Sequence, residues 1–327
     1  MADDVEVLEV EDRERWIAAH RDDGLPGQSW HYAWALSASG VRPKLAVVRS
    51  GGARMLLPFY EREWQGSIDI ATLIGPSGAS ILPDSTAPLS LWHEYAAAQR
   101  WVAGYIQLST SVDLRADAVA GDLVDLNEWF VLDLRPENLL ETFAESVRQK
   151  VQRCGRDGTV LVDDRSTLVE STRRLFPAAM ERVDARPHYH FSPETLDRWT
   201  LDPSSIVLGA SVANSVEAVS VFSVAGDAAE YHINACSERG RGFAAWLIWN
   251  AIVRLKANGV RTLHLGGGVT RGDGLDQFKR RFRGTPKTLR AVRQIYDRPR
   301  YLELCRLANV PPTHHWFPAY RAAPSAS

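Results

Sequence analysis

Residues 230–265 constrain the fold more than any other stretch. Ala245, Ile248, Trp249, Ile252 and Leu255 recur at the i, i+3, i+4 spacing of one buried helical face, and Asn258-Gly259 supplies a C-terminal stop. Strand-like text precedes this helix at 230–235 and follows it at 262–265, which makes it the crossover of a βαβ unit. Upstream, residues 206–212 and 218–224 form a hairpin across Asn214. The second half therefore reads β-β-β-α-β with a further helix.

The first half alternates in the same way. A strand is expected at 5–10, and a hairpin pairs 44–48 with 55–60 about Ser50-Gly51-Gly52. Helices are expected at 11–20, 28–37 and 88–102. A strand near 125–137 leads into a helix opening at Asn138 and running to Cys154, with Gly155 or Gly158 as its stop. Helices 166–183 and 193–200 follow. At 327 residues, 45% hydrophobic and 24% charged, the chain has material for two folded domains and lies far from the disordered corner of composition. The expected division is 1–145, 146–310 and a tail, 311–327, packing back on the first domain.

Several function classes are disfavoured. The start is acidic where a signal peptide would be basic, and no apolar run approaches the roughly 18 residues of a membrane span, so a cytoplasmic protein with no membrane span is expected. Three distant cysteines without a CxxC or Cys/His cluster support neither a disulfide framework nor a zinc site. His188 and His190 lack a third ligand, and no metal is expected. Gly266-Gly267-Gly268 with Asp273 lacks the lysine placement of a nucleotide-binding P-loop.

Chemistry is concentrated around the crossover. Ser237-Glu238-Arg239-Gly240-Arg241-Gly242-Phe243-Ala244 runs into the long helix, where free N–H groups, glycine backbone and arginine side chains suit a phosphate. A loop with solvated arginines accounts for the same residues. Net charge is -2, which excludes a globally basic coat, yet it conceals an asymmetry. Residues 279–300 carry nine basic side chains against one acidic, whereas the first 30 carry nine acidic against three basic. Such polarity steers a polyanion to one face.

Arg239-x-x-Gly242-x-Ala244 fits the (Q/R)-x-x-G-x-(G/A) pattern with which GNAT acyltransferases hold the pyrophosphate of coenzyme A. Further segments are Tyr231-His232-Ile233-Asn234-Ala235-Cys236-Ser237, Leu263-His264-Leu265-Gly266-Gly267-Gly268 and Gly274-Leu275-Asp276-Gln277-Phe278-Lys279-Arg280-Arg281-Phe282. The helix from Ser146 to Arg153 before Gly158-Thr159-Val160, and in the first half Gln28-Ser29-Trp30, Trp34, Leu57-Pro58-Phe59-Tyr60 and Gly75-Pro76, add weaker matches. Together these resemble the Fem-like (FemABX-type) peptidyltransferase superfamily, over most of the chain but distinctively only at 230–283.

The resemblance implies an α/β (α+β) chain of two tandem GNAT-like domains, each a mixed central sheet flanked by helices. It implies an amine attacking an activated acyl group without metal or covalent intermediate. The co-substrate is an aminoacyl-tRNA in many members and a coenzyme A thioester in others, with no tightly bound cofactor. The acceptor is then a small amine or peptide, such as a peptidoglycan precursor or a specialised metabolite. A non-catalytic tRNA- or peptide-binding module on the same fold is the alternative from another class.

By resemblance, Lys279 of the Phe-Lys pair stabilises charge on the acyl donor or acceptor. Strand alternation puts His232 and Asn234 on one face, and His264 opposite Leu263 and Leu265, so both histidines are candidates to take the amine proton. Donor contacts are assigned to Arg239, Arg241, Gly242, Ala244, Phe278, Arg281 and Arg283, and acceptor contacts to Trp30, Trp34, Tyr60 and Tyr189. Two features depart from the pattern. The tyrosine that many GNAT enzymes use as general acid has no counterpart nearer than Tyr296 and Tyr301, and the coiled-coil arm of some Fem proteins is missing.

Overall fold

The computed structural model describes residues 3–75, 77–154 and 157–322. Pro76 and Gly155 of the sequence motifs lie outside the described residues. In chain order the elements are β1 (Asp4–Glu9), α1 (Arg13–His20), α2 (Trp30–Ser37), β2 (Pro43–Ser50), β3 (Ala53–Trp64), β4 (Ser67–Thr72), β5 (Ser80–Leu82), α3 (Ala87–Ala98), β6 (Ala103–Gln107) and β7 (Asp122–Asp133). They continue as α4 (Leu139–Thr142), α5 (Glu145–Cys154), β8 (Val160–Val162), α6 (Arg165–Arg182), α7 (Pro193–Leu201), β9 (Ile206–Val212), β10 (Ser215–Ala225), β11 (Ala228–Cys236), α8 (Ala244–Ala257), β12 (Thr262–Gly266), α9 (Gly274–Arg280), β13 (Thr285–Ile295) and α10 (Arg298–Leu307).

The chain divides into two compact units, and neither is contiguous. One comprises Met1–His20, Arg42–Leu126 and Thr288–Ser327; the other comprises Arg21–Val41 and Asn127–Lys287. Residues 127–145 thus belong with the second unit and 288–310 with the first, on opposite sides from a simple 145/146 division. Strand pairing is the reason: the end of β7 pairs with β12, while the end of β13 pairs with β6.

The first unit has strand order β1-β2-β3-β4-β6-β13, with β5 on β3. The β2–β3 hairpin turns on Gly51 and Gly52, both at positive φ, which glycine adopts without a Cβ clash. Phe59, Trp92, Trp101, Ile106 and Val292 fill its core. The C-terminal segment is held by Asp69, which is 1% exposed and accepts hydrogen bonds from Arg62 (2.7 Å), Tyr320 (3.0 Å) and Arg321 (2.5 Å). Two guanidinium groups on one buried carboxylate leave a stranded charge if the carboxylate goes. Asp69→Ala is therefore expected to destabilise this unit by about 3–5 kcal/mol, read as an earlier urea transition, and an unshifted transition would show that the network contributes nothing.

The second unit has order β7-β12-β11-β10-β9-β8, with β11 and β12 parallel and joined by α8. The β9–β10 hairpin turns on Ala213 and Asn214, both at positive φ. Helix α8 buries Ala245, Trp246, Leu247, Ile248, Ala251, Ile252 and Leu255. Trp246 is the deeper tryptophan, whereas Trp249, assigned to the core by its spacing, is only partly buried and meets Phe143 edge-on at 6.2 Å. The expected single helix 138–154 is two helices. Phe143 is extended and fully buried, 5.2 Å from the Phe282 ring, and the next amide, Ala144 N, donates to Arg281 O. Burial of one aromatic ring outweighs the local helical pattern.

Candidate functional site at the parting of two parallel strands

Strands β11 and β12 pair only where Ala228, Ala229 and Glu230 face Thr262, Leu263 and His264. Beyond that point β11 runs on to Cys236, paired to β10 alone, and β12 ends at Gly266. The two parallel strands therefore part, and the backbone edge of β11 past Glu230 is not used by β12.

A β-bulge reshapes the faces. On β10, Phe222 pairs with Tyr231 and Val221 with Ile233, so His232 is an extra residue on β11. Strict alternation fails across it. Tyr231 stacks on Phe222 at 5.2 Å, and Asn234 accepts a hydrogen bond from Ser220 at 3.1 Å, both on the α8 side. Glu230, His232 and His264 lie on the other side. The expectation that His232 and Asn234 share a face is thus corrected by one inserted residue, while the two histidines do share one.

His232 is caged. Its ring lies 4.8 Å from Tyr32 and 4.3 Å from Trp199, and its Nδ1 lies 3.2 Å from the Ser223 hydroxyl. Burial pushes its pKa down to about 3. His264 is pushed down to about 4, first by burial and then by the positive charge of Lys287, and its Nδ1 has no hydrogen-bond partner. Burial disfavours the imidazolium form of both rings, which makes each a weak proton acceptor. Glu230, 2% exposed, sits at the parting point beside His264 and was not singled out from sequence. Its signal was the two-residue spacing to His232.

Lys279 lies at the end of β12. It is 8% exposed, its Nζ donates to Gly267 O at 2.7 Å, and a Cβ placed on Gly266 would come within 3.0 Å of that Nζ. Burial pushes it down to about 8, opposed by Asp273 and Asp276. It is therefore a fixed, largely desolvated ammonium rather than a mobile surface charge. The rest of its basic run diverges. Arg280 pairs with Glu128 (2.9 Å) and Asp276 (3.2 Å), Phe278 packs edge-on to Phe282 at 5.3 Å against the core, and Arg281 and Arg283 are exposed. Further along, Arg290 pairs with Asp113, and Arg300 with Glu303, so much of the basic excess is neutralised locally.

At the other end of the gap, residues Arg239–Gly242 form a 3-10 turn ahead of α8, whose first residue is Ala244. The turn is clamped onto β10. Ser237 N donates to Glu217 O at 2.9 Å, the Ser237 hydroxyl donates to the Glu217 carboxylate, and a Cβ on Gly240 would sit 1.9 Å from Glu217 O. Gly240, not Gly242, is thus the glycine the protein itself requires; a Cβ on Gly242 would meet nothing within 4 Å. Arg241 pairs with Glu238 at 2.6 Å, and Arg239 is exposed.

The predicted acceptor residues separate. Trp30 and Trp34 stack at 5.4 Å on α2, and Trp34 carries the Arg198 guanidinium 4.0 Å over its ring, which ties α2 to α7. Tyr189 is 43% exposed, in the same unit as these and Tyr32. Tyr60 belongs to the other unit, on β3. Tyr296 and Tyr301 are structural residues of that unit. The Tyr296 hydroxyl accepts from Trp92 at 3.2 Å and donates to Gln294 at 3.0 Å, and the Tyr301 hydroxyl accepts from Ala319 N at 3.1 Å.

No protein-family model matches the sequence, and no curated protein matches it. Solved structures do. FemX superposes with a TM-score of 0.66 at 12% identity, over 92% of this chain and 99% of FemX. The chain has the Fem-like tandem-GNAT fold. The C-terminal domain of a putative lysylphosphatidylglycerol synthetase from Agrobacterium fabrum gives 0.61 at 15% identity, over 87% of this chain and 92% of that domain. L-PGS from Bacillus licheniformis gives 0.59 at 11% identity, over 87% and 91%. At such identities the likeness carries the Fem-like fold alone. Among the described residues no helix is long and apolar enough to cross a membrane.

Proposed function

We propose that the chain is an N-acyltransferase that forms an amide bond, moving an aminoacyl group from aminoacyl-tRNA to an amine of a peptidoglycan precursor or a specialised metabolite. The observation that carries this is the parting of β11 and β12 with the Lys279 ammonium fixed at its edge. An acyl carbonyl lying in the gap would meet a positive charge, while the unpaired edge of β11 orients the chain bearing it.

The amine nitrogen bonds to the carbonyl carbon, and Lys279 stabilises the resulting oxyanion. The carbon–oxygen bond to the ribose then breaks with its electron pair, and the leaving oxygen collects the proton released by the amine. Burial disfavours the protonated forms of His232 and His264, which suits them to hydrogen bonding in the gap more than to taking the amine proton. Exposed Arg281, Arg283 and Lys287 suit an RNA backbone. The Fem-like resemblance supports the aminoacyl donor, as does a neighbour named for lysylphosphatidylglycerol, whose name puts an aminoacyl group in the product.

A second reading, a coenzyme A thioester as donor, is favoured by exposed Arg239 and open Gly242 at the start of α8. The test is label transfer to a panel of amines from radiolabelled aminoacyl-tRNA or acyl-coenzyme A. RNase-sensitive transfer is the expected result. RNase-resistant turnover with the thioester replaces the first reading by the second, and no turnover with either leaves a binding module.

A further inference from the structure

Residues 266–274 carry five glycines in nine positions, and Val269 among them is 84% exposed, so apolar packing does not hold this stretch. It nevertheless supplies Gly267 O, the acceptor of the hydrogen bond from Lys279 Nζ. Where that oxygen sits decides where the ammonium sits. Asp273 accepts from Thr270 N at 2.8 Å, and Gln277 donates to Gly272 O at 2.9 Å, which fastens the stretch to α9. Those bonds join loop to helix and leave open what fixes the pair to the sheet.

Two consecutive residues of β7 do so. Asn127 Nδ2 donates to Gly268 O at 2.7 Å, and Asn127 Oδ1 accepts from Glu128 N at 2.8 Å, which orients the amide. The Glu128 carboxylate takes Arg271 on Oε1 and Arg280 on Oε2, each at 2.9 Å, so one side chain grips both the loop and the residue next to Lys279. The backbone of β7 closes the contact, since a Cβ on Gly267 would come within 2.3 Å of Glu128 O and 2.5 Å of Trp129 Cδ1. The Arg271 side chain is 74% exposed and that of Arg280 50%, and exposed ion pairs add little to stability. Placement of a charge is another matter, because a displacement of about 1 Å in a reacting group can cost on the order of a hundredfold in rate.

We infer that Asn127 and Glu128 are positioning residues for the acyl transfer, holding the glycine loop and α9 against β7 so that the Lys279 ammonium stays at the margin of the gap. This rests on the acyl-transfer reading above and adds to it the residues through which the sheet places the charge. Both act through Lys279. Glutamine at 128 keeps the shape and loses the charge that binds two guanidinium groups. Aspartate at 127 keeps the acceptor for Glu128 N and sets an oxygen, in place of a donor, against Gly268 O.

The experiment measures kcat, KM and Tm on the full chain, in the label-transfer assay with radiolabelled aminoacyl-tRNA or acyl-coenzyme A, whichever turns over. The variants are Glu128→Gln, Asn127→Asp, Lys279→Met, and each β7 variant combined with Lys279→Met. Each β7 variant alone is expected to lose about tenfold in kcat, with both KM values within about twofold and Tm within about two degrees. In the Lys279→Met background neither should cost more than about a further twofold, because the charge being positioned is gone. A role confined to folding would lower Tm and leave the kcat of the folded chain unchanged, and a role independent of Lys279 would multiply the losses. Either result overturns the inference while leaving acyl transfer and the part of Lys279 in place. If Glu128→Gln fails to fold, Asn127→Asp, which keeps the Glu128 carboxylate, decides. Wild-type kcat in folded Lys279→Met, or no transfer from either donor, removes the reading beneath the inference and the inference with it.

Discussion

Lys279→Met will lower turnover by at least about tenfold while making the folded chain more stable at neutral pH. Both effects come from one fact, an ammonium held in a nearly closed site with a single hydrogen bond. Burial brings Lys279 from 10.5 down to about 8. Below pH 8 the folded and unfolded chains both hold this proton, and the folded chain bears the full cost of the buried charge. Between pH 8 and 10.5 the unfolded chain keeps a proton that the folded chain sheds. The unfolded state then binds more protons, so stability rises with pH, by roughly 3 kcal/mol over the window.

Methionine removes the charge and leaves the Gly267 carbonyl unpaired, at a cost of about 1 kcal/mol, so the net gain near pH 7 is roughly 2 kcal/mol. The alkaline rise in stability should vanish in the variant. Turnover needs the ammonium and should fall as pH increases through about 8. No limb from His232 or His264 should appear near 6.5, because burial pushes them down to about 3 and about 4. A folded Lys279→Met with unchanged kcat reduces the lysine to a structural tie. A wild-type rate that is flat from pH 7 to 10 does the same.

What the sequence discloses and what it hides follow from the range of the forces involved. The α8 crossover, the β2–β3 and β9–β10 hairpins and the α6 and α7 helices are local patterns ended by local signals such as Gly51-Gly52, Asn214 and Asn258-Gly259, and they are legible. The break at Phe143 is not, because a ring from Phe282, far along the chain, decides it. The short strands β4, β5, β6 and β8 also went unseen, being three to six residues long and defined by their partners. Strand β13 was masked by Arg290 and Arg293, which interrupt the buried run of Leu289, Ala291 and Val292.

The candidate site was half legible. The elements that carry its residues are readable, since β11, the turn before α8, β12 and α9 hold His232, Arg239, His264 and Lys279. The error lay in the geometry within a strand. One bulged residue at His232 turns Asn234 to the opposite face, and nothing in Tyr231-His232-Ile233-Asn234 announces a bulge. Tyr32 and Trp199, the rings that cage His232, come from helices more than 30 residues away along the chain, and only packing brings them there.

The turn before α8 gives the sharpest separation of folding from binding, because its two glycines have opposite surroundings. In Gly240→Ala the new methyl would lie 1.9 Å from Glu217 O, a backbone atom that also accepts from Ser237 N. Neither the strand nor the turn can yield cheaply, since the Ser237 hydroxyl fixes the same pair of elements. Overpacking of this kind costs about 1–3 kcal/mol, and here it also displaces the start of α8. Gly240→Ala should therefore lower Tm by several degrees and raise the KM for the donor together. Gly242→Ala adds its methyl to open space and should leave Tm within about a degree. If donor phosphates approach the turn at that point, its KM for the donor will still rise about tenfold, with kcat little changed. Donor KM unchanged in Gly242→Ala would place the phosphates elsewhere and remove the observation favouring a coenzyme A thioester. A stable Gly240→Ala would mean that β10 and the turn are not clamped as their hydrogen bonds describe.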